Sequence, residues 1–143
     1  DLQYDRLAAI PYAALPIGVA MAMELDRPMI YPRREVKQYG TGRAIEGVFQ
    51  DGERVLLVDD LITRGGSKLE AIASLQAANL VVQDVLVLIN REQGGAEDLE
   101  KEGYRLHALL GLTDLLQVLE EKDRITHDQR REVTEYLEQA RAA

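Results

Sequence analysis

The stretch RVLLVDDLITRGGSKLEA, residues 54–71, joins an apolar run to two acids, a glycine-rich turn and a helix-like segment. Residues 54–58 predict a buried strand, and Ser67 to Ala78 predict a helix with Leu69, Ile72, Ala73, Leu75 and Gln76 on helical spacing. The glycines permit a tight turn, and the free N–H groups at a helix start attract anions. Because carboxylates repel phosphate, a ligand that satisfies both features must carry phosphate at one end and hydroxyls or a metal at the other.

Apolar runs alternate with helix-like segments throughout the chain. Further strands are predicted at residues 6–10, 28–32, 44–49, 85–90 and 104–110, and further helices at 17–25, 96–102, 113–121 and from the capping-box sequence THDQ (126–129) to about residue 142. This alternation favours an α/β fold with a mostly parallel sheet flanked by helices. Ligands of such sheets bind beyond the carboxyl ends of the strands, where three loops are expected to meet: 11–16, 59–67 and 91–95.

Composition limits the classes of function. The 143 residues predict one domain, 1–143, and 46% hydrophobic residues are enough for a core. A net charge of −8 argues against nucleic-acid binding, which needs a basic face. The chain has no Cys and two His, which excludes disulfides and a His-rich metal site. No apolar run reaches the roughly 18 residues of a membrane span and no signal peptide is visible, so we expect a cytoplasmic protein.

The motif after the strand differs from the common nucleotide-binding motifs. LITRGGSK lacks the first glycine and the lysine position of a P-loop, and G-x-G-x-x-G is absent. Asp59 and Asp60 can accept hydrogen bonds from vicinal hydroxyls, directly or through Mg²⁺, while Thr63 and Ser67 add hydroxyl donors near the turn. The motif therefore suits a ribose 5-phosphate.

Four segments resemble one known family. VLLVDDLITRGGS (55–67) resembles the phosphoribosyl-pyrophosphate (PRPP) motif of type I phosphoribosyltransferases. IPYAALPIG (10–18), YPRREVKQYGTGRAIEG (31–47) and INREQGG (89–95) together resemble orotate phosphoribosyltransferases, above all the form fused to orotidylate decarboxylase in bifunctional UMP synthases. The resemblance implies the type I phosphoribosyltransferase fold with a flexible catalytic loop. It also implies transfer of the phosphoribosyl group from PRPP to orotate in pyrimidine biosynthesis, giving orotidine 5′-monophosphate and pyrophosphate.

The resemblance also implies roles for individual residues. Asp59 and Asp60 would hold the PRPP ribose, and the turn after them its 5-phosphate. Arg91, with Thr63 nearby, would bind orotate, because the planar fork of an arginine matches a carboxylate. The implied PRPP site comprises Tyr12, Ala13, Arg33, Arg34, Lys37, Tyr39, Asp59, Asp60, Leu61, Ile62, Thr63, Arg64, Gly65, Gly66 and Ser67.

The basic loop Arg33–Gly47 would close over PRPP and reach the neighbouring site of a homodimer. Lys37 would stabilise the departing pyrophosphate, and the catalytic assignments are Lys37, Arg33, Asp59 and Asp60. Mg²⁺ would arrive bound to PRPP, with no direct protein ligand.

Several positions depart from the usual family pattern. Tyr39 and Ala13 replace the His and Lys of many bacterial enzymes, as in the bifunctional form, so a fused or associated orotidylate decarboxylase is an expected partner. Arg64 replaces a small residue, and its side chain could touch phosphate or point to solvent. The amino-terminal segment that helps to cover orotate has no counterpart before Asp1, so we expect a domain that lacks it.

Two alternatives stay open. One is a phosphoribosyltransferase for another base, such as a purine, against which Arg91 argues. The other is a non-catalytic PRPP-binding or truncated domain.

Overall fold

The computed structural model describes residues 2–34 and 44–142. Within these ranges, six strands form one sheet in the order β3-β2-β1-β4-β5-β6, in which all neighbours are parallel except β2 and β3. The elements are β1 (Arg6–Ala9), α1 (Ala14–Leu25), β2 (Met29–Pro32), β3 (Ile45–Glu46), β4 (Arg54–Ile62), α2 (Gly66–Gln76), β5 (Val81–Asn90), α3 (Gly95–Lys101), β6 (Arg105–Gly111), α4 (Leu112–Glu121) and α5 (His127–Ala142). The predicted α/β class with a mostly parallel sheet is confirmed.

The central strands are longer than their apolar runs. β4 continues past the predicted end at residue 58 to Ile62, so both acids lie inside the strand rather than in a loop after it. The main-chain ladder explains this extension, because Asp59 pairs with Val87 and Ile62 with Asn90 on the parallel neighbour β5. Backbone hydrogen bonds to a neighbouring strand do not depend on side-chain polarity, so β4 continues through the two acids.

Three other elements differ from the prediction by three residues or more at one end, and the first is β5, which begins at Val81 rather than at residue 85. α1 begins at Ala14 rather than at residue 17, with Pro16 in its first turn, where a missing N–H breaks no helical bond. β3 covers only Ile45–Glu46 instead of residues 44–49. β3 forms a two-residue antiparallel pair with β2 and is the edge strand on that side of the sheet.

The two faces of the sheet carry separate apolar clusters. Val55 and Leu57 of β4 belong to the larger cluster, which also contains Ile72 and Leu75 of α2. Leu56 and Val58 belong to the smaller cluster, with side chains of α1 packed against it. Because side chains alternate along a strand, Asp59 falls on the same face as Val55 and Leu57, beneath α2.

The buried face of α2 is rotated from the predicted one. Ala73 and Gln76 are exposed and Leu69 is half-buried, whereas Lys68, Ala71, Ile72 and Leu75 are buried. These four residues have the spacing i, i+3, i+4, i+7 of a single helix face. The prediction was wrong at Ala73 and Gln76, because it started the stripe at Leu69 and passed over the lysine.

The start of α5 agrees with its predicted capping box. The Thr126 hydroxyl accepts the Gln129 N–H at 3.2 Å, and the Gln129 side-chain oxygen accepts the Thr126 N–H at 2.9 Å. The two residues thus satisfy each other's backbone donors. No helix in the described part of the chain is long and apolar enough to cross a membrane.

A matched pair of leucines tests the assignment of the core. Leu57 is completely buried in β4, whereas Leu109 in β6 is 77% exposed. Leu57→Ala should lower the free energy of unfolding by about 2–5 kcal/mol, because it leaves a cavity in the packed face under α2. Leu109→Ala should lower it by less than about 0.5 kcal/mol. Urea unfolding followed by circular dichroism measures both values, and equal losses would contradict the assigned burial.

Candidate functional site

A cavity of about 480 Å³ lies at the carboxyl ends of β1, β2 and β4. Its walls come from the turn after β1, the end of β2, the end of β4 and the first two turns of α2. The lining residues are Ile10, Pro11, Tyr12, Ala13, Pro32, Arg33, Arg34, Asp59, Asp60, Leu61, Thr63, Ser67, Lys68, Glu70, Ala71 and Ser74. This position agrees with the rule that parallel sheets bind ligands beyond their strand ends.

The two acids at the end of β4 have different surroundings. Asp59 is only 6% exposed, and its Oδ2 lies 2.7 Å from the Lys68 Nζ. Its Oδ1 accepts the Asp60 N–H at 2.9 Å. Burial raises the pKa of the Asp59 carboxyl, and the adjacent lysine opposes that rise. Asp60 is half-buried, and its Oδ1 accepts the Leu61 N–H at 2.8 Å.

The turn after β4 leads directly into α2. Gly65 precedes the helix, and no side-chain cap binds the helix start. The Gly65 N–H donates to Asp98 Oδ2 at 3.4 Å and the Lys68 N–H to the Gly65 carbonyl at 3.0 Å, so within the described residues the N–H groups of Gly66 and Ser67 are left for a ligand. Thr63 and Ser67 border the cavity on either side of this turn. Free N–H groups and the helix dipole make such a helix start favourable for an anion.

The opposite wall is basic and aromatic. The Arg34 guanidinium lies 5.9 Å from the centre of the Tyr12 ring, a cation–π distance. Arg33 forms an ion pair with Glu46, and its N–H donates to the Ala44 carbonyl at 2.7 Å. These bonds fix both ends of the segment that leaves β2 and returns at β3. The Pro11–Tyr12 peptide, in the turn after β1, is cis.

The cavity thus combines a carboxylate wall, a helix start and two arginines. This set of groups suits an elongated polyanion that also carries hydroxyls: phosphate at the helix start, hydroxyls at the acids, and further negative charge near the arginines. Within residues 2–34 and 44–142, no group of three or more His, Asp or Glu side chains is arranged to hold a metal ion.

Curated proteins with related sequences have consistent names. The chain is 45% identical over 129 residues to the bifunctional enzyme PyrF/PyrE of Nostoc sp. The aligned region covers 90% of this chain and 27% of that enzyme. The chain is 41% identical over 116 residues to the orotate phosphoribosyltransferase of Pyrococcus furiosus, covering 81% of this chain and 64% of the relative. The chain therefore spans less than two thirds of these relatives. No protein-family model matches the chain.

Solved structures agree with the sequence relatives. UMP synthase of Leishmania donovani superposes with a TM-score of 0.89 at 41% identity, over 96% of this chain and 30% of that one. Orotate phosphoribosyltransferase of Mycobacterium tuberculosis superposes with a TM-score of 0.70 at 33% identity, over 80% of this chain and 67% of that one.

The chain belongs to the orotate phosphoribosyltransferase family.

The predicted type I phosphoribosyltransferase fold is thereby confirmed. Yeast adenine phosphoribosyltransferase, with a TM-score of 0.63 at 18% identity, shares the fold. The residues that the family resemblance assigned to the site fall into three groups. Those that line the cavity are Tyr12, Ala13, Arg33, Arg34, Asp59, Asp60, Leu61, Thr63 and Ser67. Those described but outside its lining are Ile62, Arg64, Gly65, Gly66 and Arg91. Lys37 and Tyr39 lie outside the described residues. The assigned roles stay predictions.

Arg64, whose direction the sequence left open, points away from the cavity. Its guanidinium donates to the Ala140 carbonyl at 2.9 Å, near the carboxyl end of α5, and lies over Gly94. A cation is favourable there, because the last carbonyls of a helix carry partial negative charge. A role of Arg64 in PRPP binding would therefore rest on its main chain.

Arg91 lies next to the turn after β4, although it does not line the cavity. Its N–H donates to the Ile62 carbonyl at 2.9 Å. The following loop packs tightly on the same place, because a Cβ on Gly95 would lie 2.5 Å from Ile62 Cγ1. Arg141 of α5 also donates to the Glu92 carbonyl, which fixes this loop from outside.

The sequence assigned no role to two charged residues that line the cavity, Glu70 and Lys68, and the buried one of these is Lys68. It is only 4% exposed, it lines the cavity, and its ammonium lies among groups at the end of β4. Two signals could have found it. Counting back from Leu75, Ile72 and Ala71 places residue 68 on the buried face of α2. Alternation along β4 places Asp59 on that same face, where a buried carboxylate needs a cation.

Two glycines at the site provide a matched test of this packing. Gly95→Ala should lower the free energy of unfolding by about 1–3 kcal/mol, because the new Cβ would meet Ile62 Cγ1 at 2.5 Å and the Thr63 carbonyl oxygen at 2.9 Å. Gly66→Ala should leave it unchanged or raise it by up to about 1 kcal/mol, because nothing lies within 4 Å and the position is helical. Thermal unfolding compares the two, and a reversed order would contradict the described packing of the 91–95 loop.

Proposed function

We propose that the chain is an orotate phosphoribosyltransferase domain that transfers the phosphoribosyl group of PRPP to orotate. The observation that carries this proposal is the single cavity bordered by an acid pair, an uncapped helix start and two arginines. Relatives support it, since they are named orotate phosphoribosyltransferase or UMP synthase. A solved M. tuberculosis relative, 32% identical and covered to 67%, is described as a complex with PRPP.

The proposed reaction exchanges one bond at C1 of the ribose. N1 of orotate gives up its proton and forms a bond to C1 as the C1–O bond to pyrophosphate breaks. The C1–O bonding electrons leave with pyrophosphate, and the N1 proton passes to pyrophosphate or to water. Negative charge therefore grows on the leaving group, and cations placed beside it stabilise the transition state more than the substrate. No side chain needs to form a covalent intermediate, since positioning and electrostatics suffice.

We assign each part of PRPP to a different group of residues in the cavity. Asp59 and Asp60 would hold the ribose hydroxyls, and the Thr63–Ser67 turn would hold the 5-phosphate at the start of α2. Arg33 and Arg34 would attract the pyrophosphate, with Tyr12 and Ala13 below it. We assign stabilisation of the departing charge to Lys37 in the segment between β2 and β3. Closure of that segment would exclude water from the reacting carbon.

We propose that Mg²⁺ enters with PRPP as its counter-ion. The residues of the cavity fit an ion that arrives on its ligand, because Mg²⁺ prefers oxygen ligands, PRPP would supply them directly, and the half-buried Asp60 carboxylate would act on the ion only through its water molecules. When bound, the ion would neutralise part of the pyrophosphate charge.

The wider assembly is also a proposal. The names of the relatives include a bifunctional enzyme and UMP synthases, so an orotidylate decarboxylase domain, fused or associated, is the expected partner. We propose a cytoplasmic homodimer, in which the Arg33–Gly47 segment reaches the neighbouring site. In this account residues 1–143 form one phosphoribosyltransferase domain.

Base specificity separates this proposal from its nearest alternative. The full chain, with PRPP and Mg²⁺, should consume orotate and release pyrophosphate, and should leave uracil and hypoxanthine unchanged. A carboxylated base needs a cation at its carboxylate, and a purine does not. Loss of orotate absorbance and chromatography of the products measure the three reactions. Preferred turnover of hypoxanthine would contradict the proposal, and PRPP binding without turnover of any base would favour a non-catalytic domain.

Arg91→Gln tests whether Arg91 binds the carboxylate of orotate. The variant should raise the KM for orotate at least about tenfold, because a charge-assisted bidentate contact is lost, and should leave the KM for PRPP within about threefold. Arg54→Gln is the matched control, because Arg54 is exposed at the opposite end of the sheet and should leave both constants unchanged. An unchanged orotate KM in the Arg91 variant would remove this residue from the base site.

Lys37→Ala tests the assignment of the leaving-group cation. The value of kcat should fall at least about tenfold, because the lost charge acts mainly as pyrophosphate departs. Lys122→Ala, at an exposed position after α4, should retain the original kcat. Steady-state pyrophosphate release compares the two variants, and a smaller loss than tenfold at Lys37 would contradict its assigned role.

A further inference from the structure

Lys68 is a buried cation that the proposed reaction does not use. It lies in the first turn of α2, on the face that carries Ala71, Ile72 and Leu75, and only 4% of it is exposed. Lysine is almost never fully buried unless it is paired. Positions on the buried face of a helix are usually apolar, so a lysine at this position needs a physical explanation.

The Lys68 ammonium connects groups on the two sides of the turn after β4. Its Nζ lies 2.7 Å from Asp59 Oδ2 and 2.6 Å from the Leu61 carbonyl oxygen, and it lies 3.3 Å from the Ser67 hydroxyl. An ammonium has three donors, so its capacity is fully used. The lysine therefore fixes the end of β4 to the start of α2, across the turn that borders the cavity.

Because of these bonds, the two acids differ in how many carboxylate oxygens are left for a ligand. Both oxygens of Asp59 are occupied, one by Lys68 and the other by the Asp60 N–H. Asp60 accepts the Leu61 N–H through Oδ1 alone, and its Oδ2 has no hydrogen-bond partner among the residues that the structure describes. Asp60 is also the more exposed of the two acids. Within the described residues, the acid of the pair with an oxygen left for a ligand is therefore Asp60.

The ion pair also changes the charge at the cavity. Two adjacent carboxylates would repel a phosphorylated sugar, whereas a lysine at 2.7 Å cancels one of the two charges. A buried ion pair adds little stability over apolar residues of similar size. The geometry and charge of the site therefore explain the lysine better than stability does.

We propose that Lys68 is a positioning residue for the phosphoribosyl substrate: it neutralises and fixes Asp59, so that Asp60 presents its carboxylate to the ligand hydroxyls. The inference rests on the proposed function, because the ligand it invokes is PRPP. Lys68 acts through Asp59 and the Leu61 carbonyl and contacts no reacting atom.

Lys68→Met removes the charge and keeps the length of the side chain. The KM for PRPP should rise at least about tenfold, while kcat and the KM for orotate should each change less than about threefold. Lys101→Met is the matched control, because Lys101 is exposed in the last turn of α3, and should leave all three constants unchanged. A PRPP KM unchanged in Lys68→Met would overturn the inference, even if the melting temperature falls.

A second comparison keeps the test valid if Lys68→Met fails to fold because of its unpaired Asp59. Asp59→Asn/Lys68→Met leaves no charge of this pair in the interior. Against Asp59→Asn alone, the added lysine change should alter the KM for PRPP less than about threefold, because Lys68 acts through Asp59. A tenfold effect that persists in the Asp59→Asn background would overturn the inference.

The wild-type chain separates failure of this inference from failure of the proposed function. Calorimetric titration with PRPP and Mg²⁺, together with the turnover assay, is carried out on the wild type first. A wild type that neither binds nor turns over PRPP contradicts the proposed function, and with it this inference. A wild type that binds PRPP, beside a Lys68→Met variant with the same affinity, contradicts this inference alone.

Discussion

A buried ion pair between Asp59 and Lys68 joins β4 to α2 beside the cavity, and we propose that the geometry of the site depends on it. β4 is paired on both sides, with β1 and β5, so its ladder continues through the two acids. Alternation then directs Asp59 beneath α2, where only 6% of it is exposed to water. The first turn of α2 supplies the compensating charge. The turn between the two elements is thereby held in place, with the acids on one side and the helix start on the other.

The rest of the site is arranged around this pair by contacts between distant segments. Arg34 and Tyr12 bring the end of β2 onto the turn after β1. α5 approaches from outside the cavity, where its end accepts a hydrogen bond from Arg64 and its Arg141 donates to the 91–95 loop. The carboxyl-terminal helix therefore supports both the turn after β4 and the loop that carries Arg91. The turn proposed to bind phosphate and the loop proposed to bind the base therefore share one support, which would keep their separation constant.

The fold could be predicted from the sequence because its signals are local. Apolar runs alternate with helix-like segments, and the motif at residues 55–67 is specific enough to indicate the family. The end of β4 could not be predicted in the same way, because pairing with β5 carries the strand beyond its apolar residues. Arg64 was undecidable because its partner lies 76 residues away. Lys68 was missed because a lysine is ordinarily expected to be exposed, although its spacing from the apolar residues of α2 places it on the buried face of the helix.

We propose that one ligand, PRPP, occupies the cavity between the acids, the start of α2 and the arginines. A crystal structure of the chain with PRPP and Mg²⁺ would decide this. The ribose hydroxyls should lie within hydrogen-bond distance of Asp60, the 5-phosphate should lie on the Thr63–Ser67 turn, and Lys68 should still be paired with Asp59. PRPP bound elsewhere on the chain, or bound here with its phosphate away from that turn, would show that the proposed site is wrong.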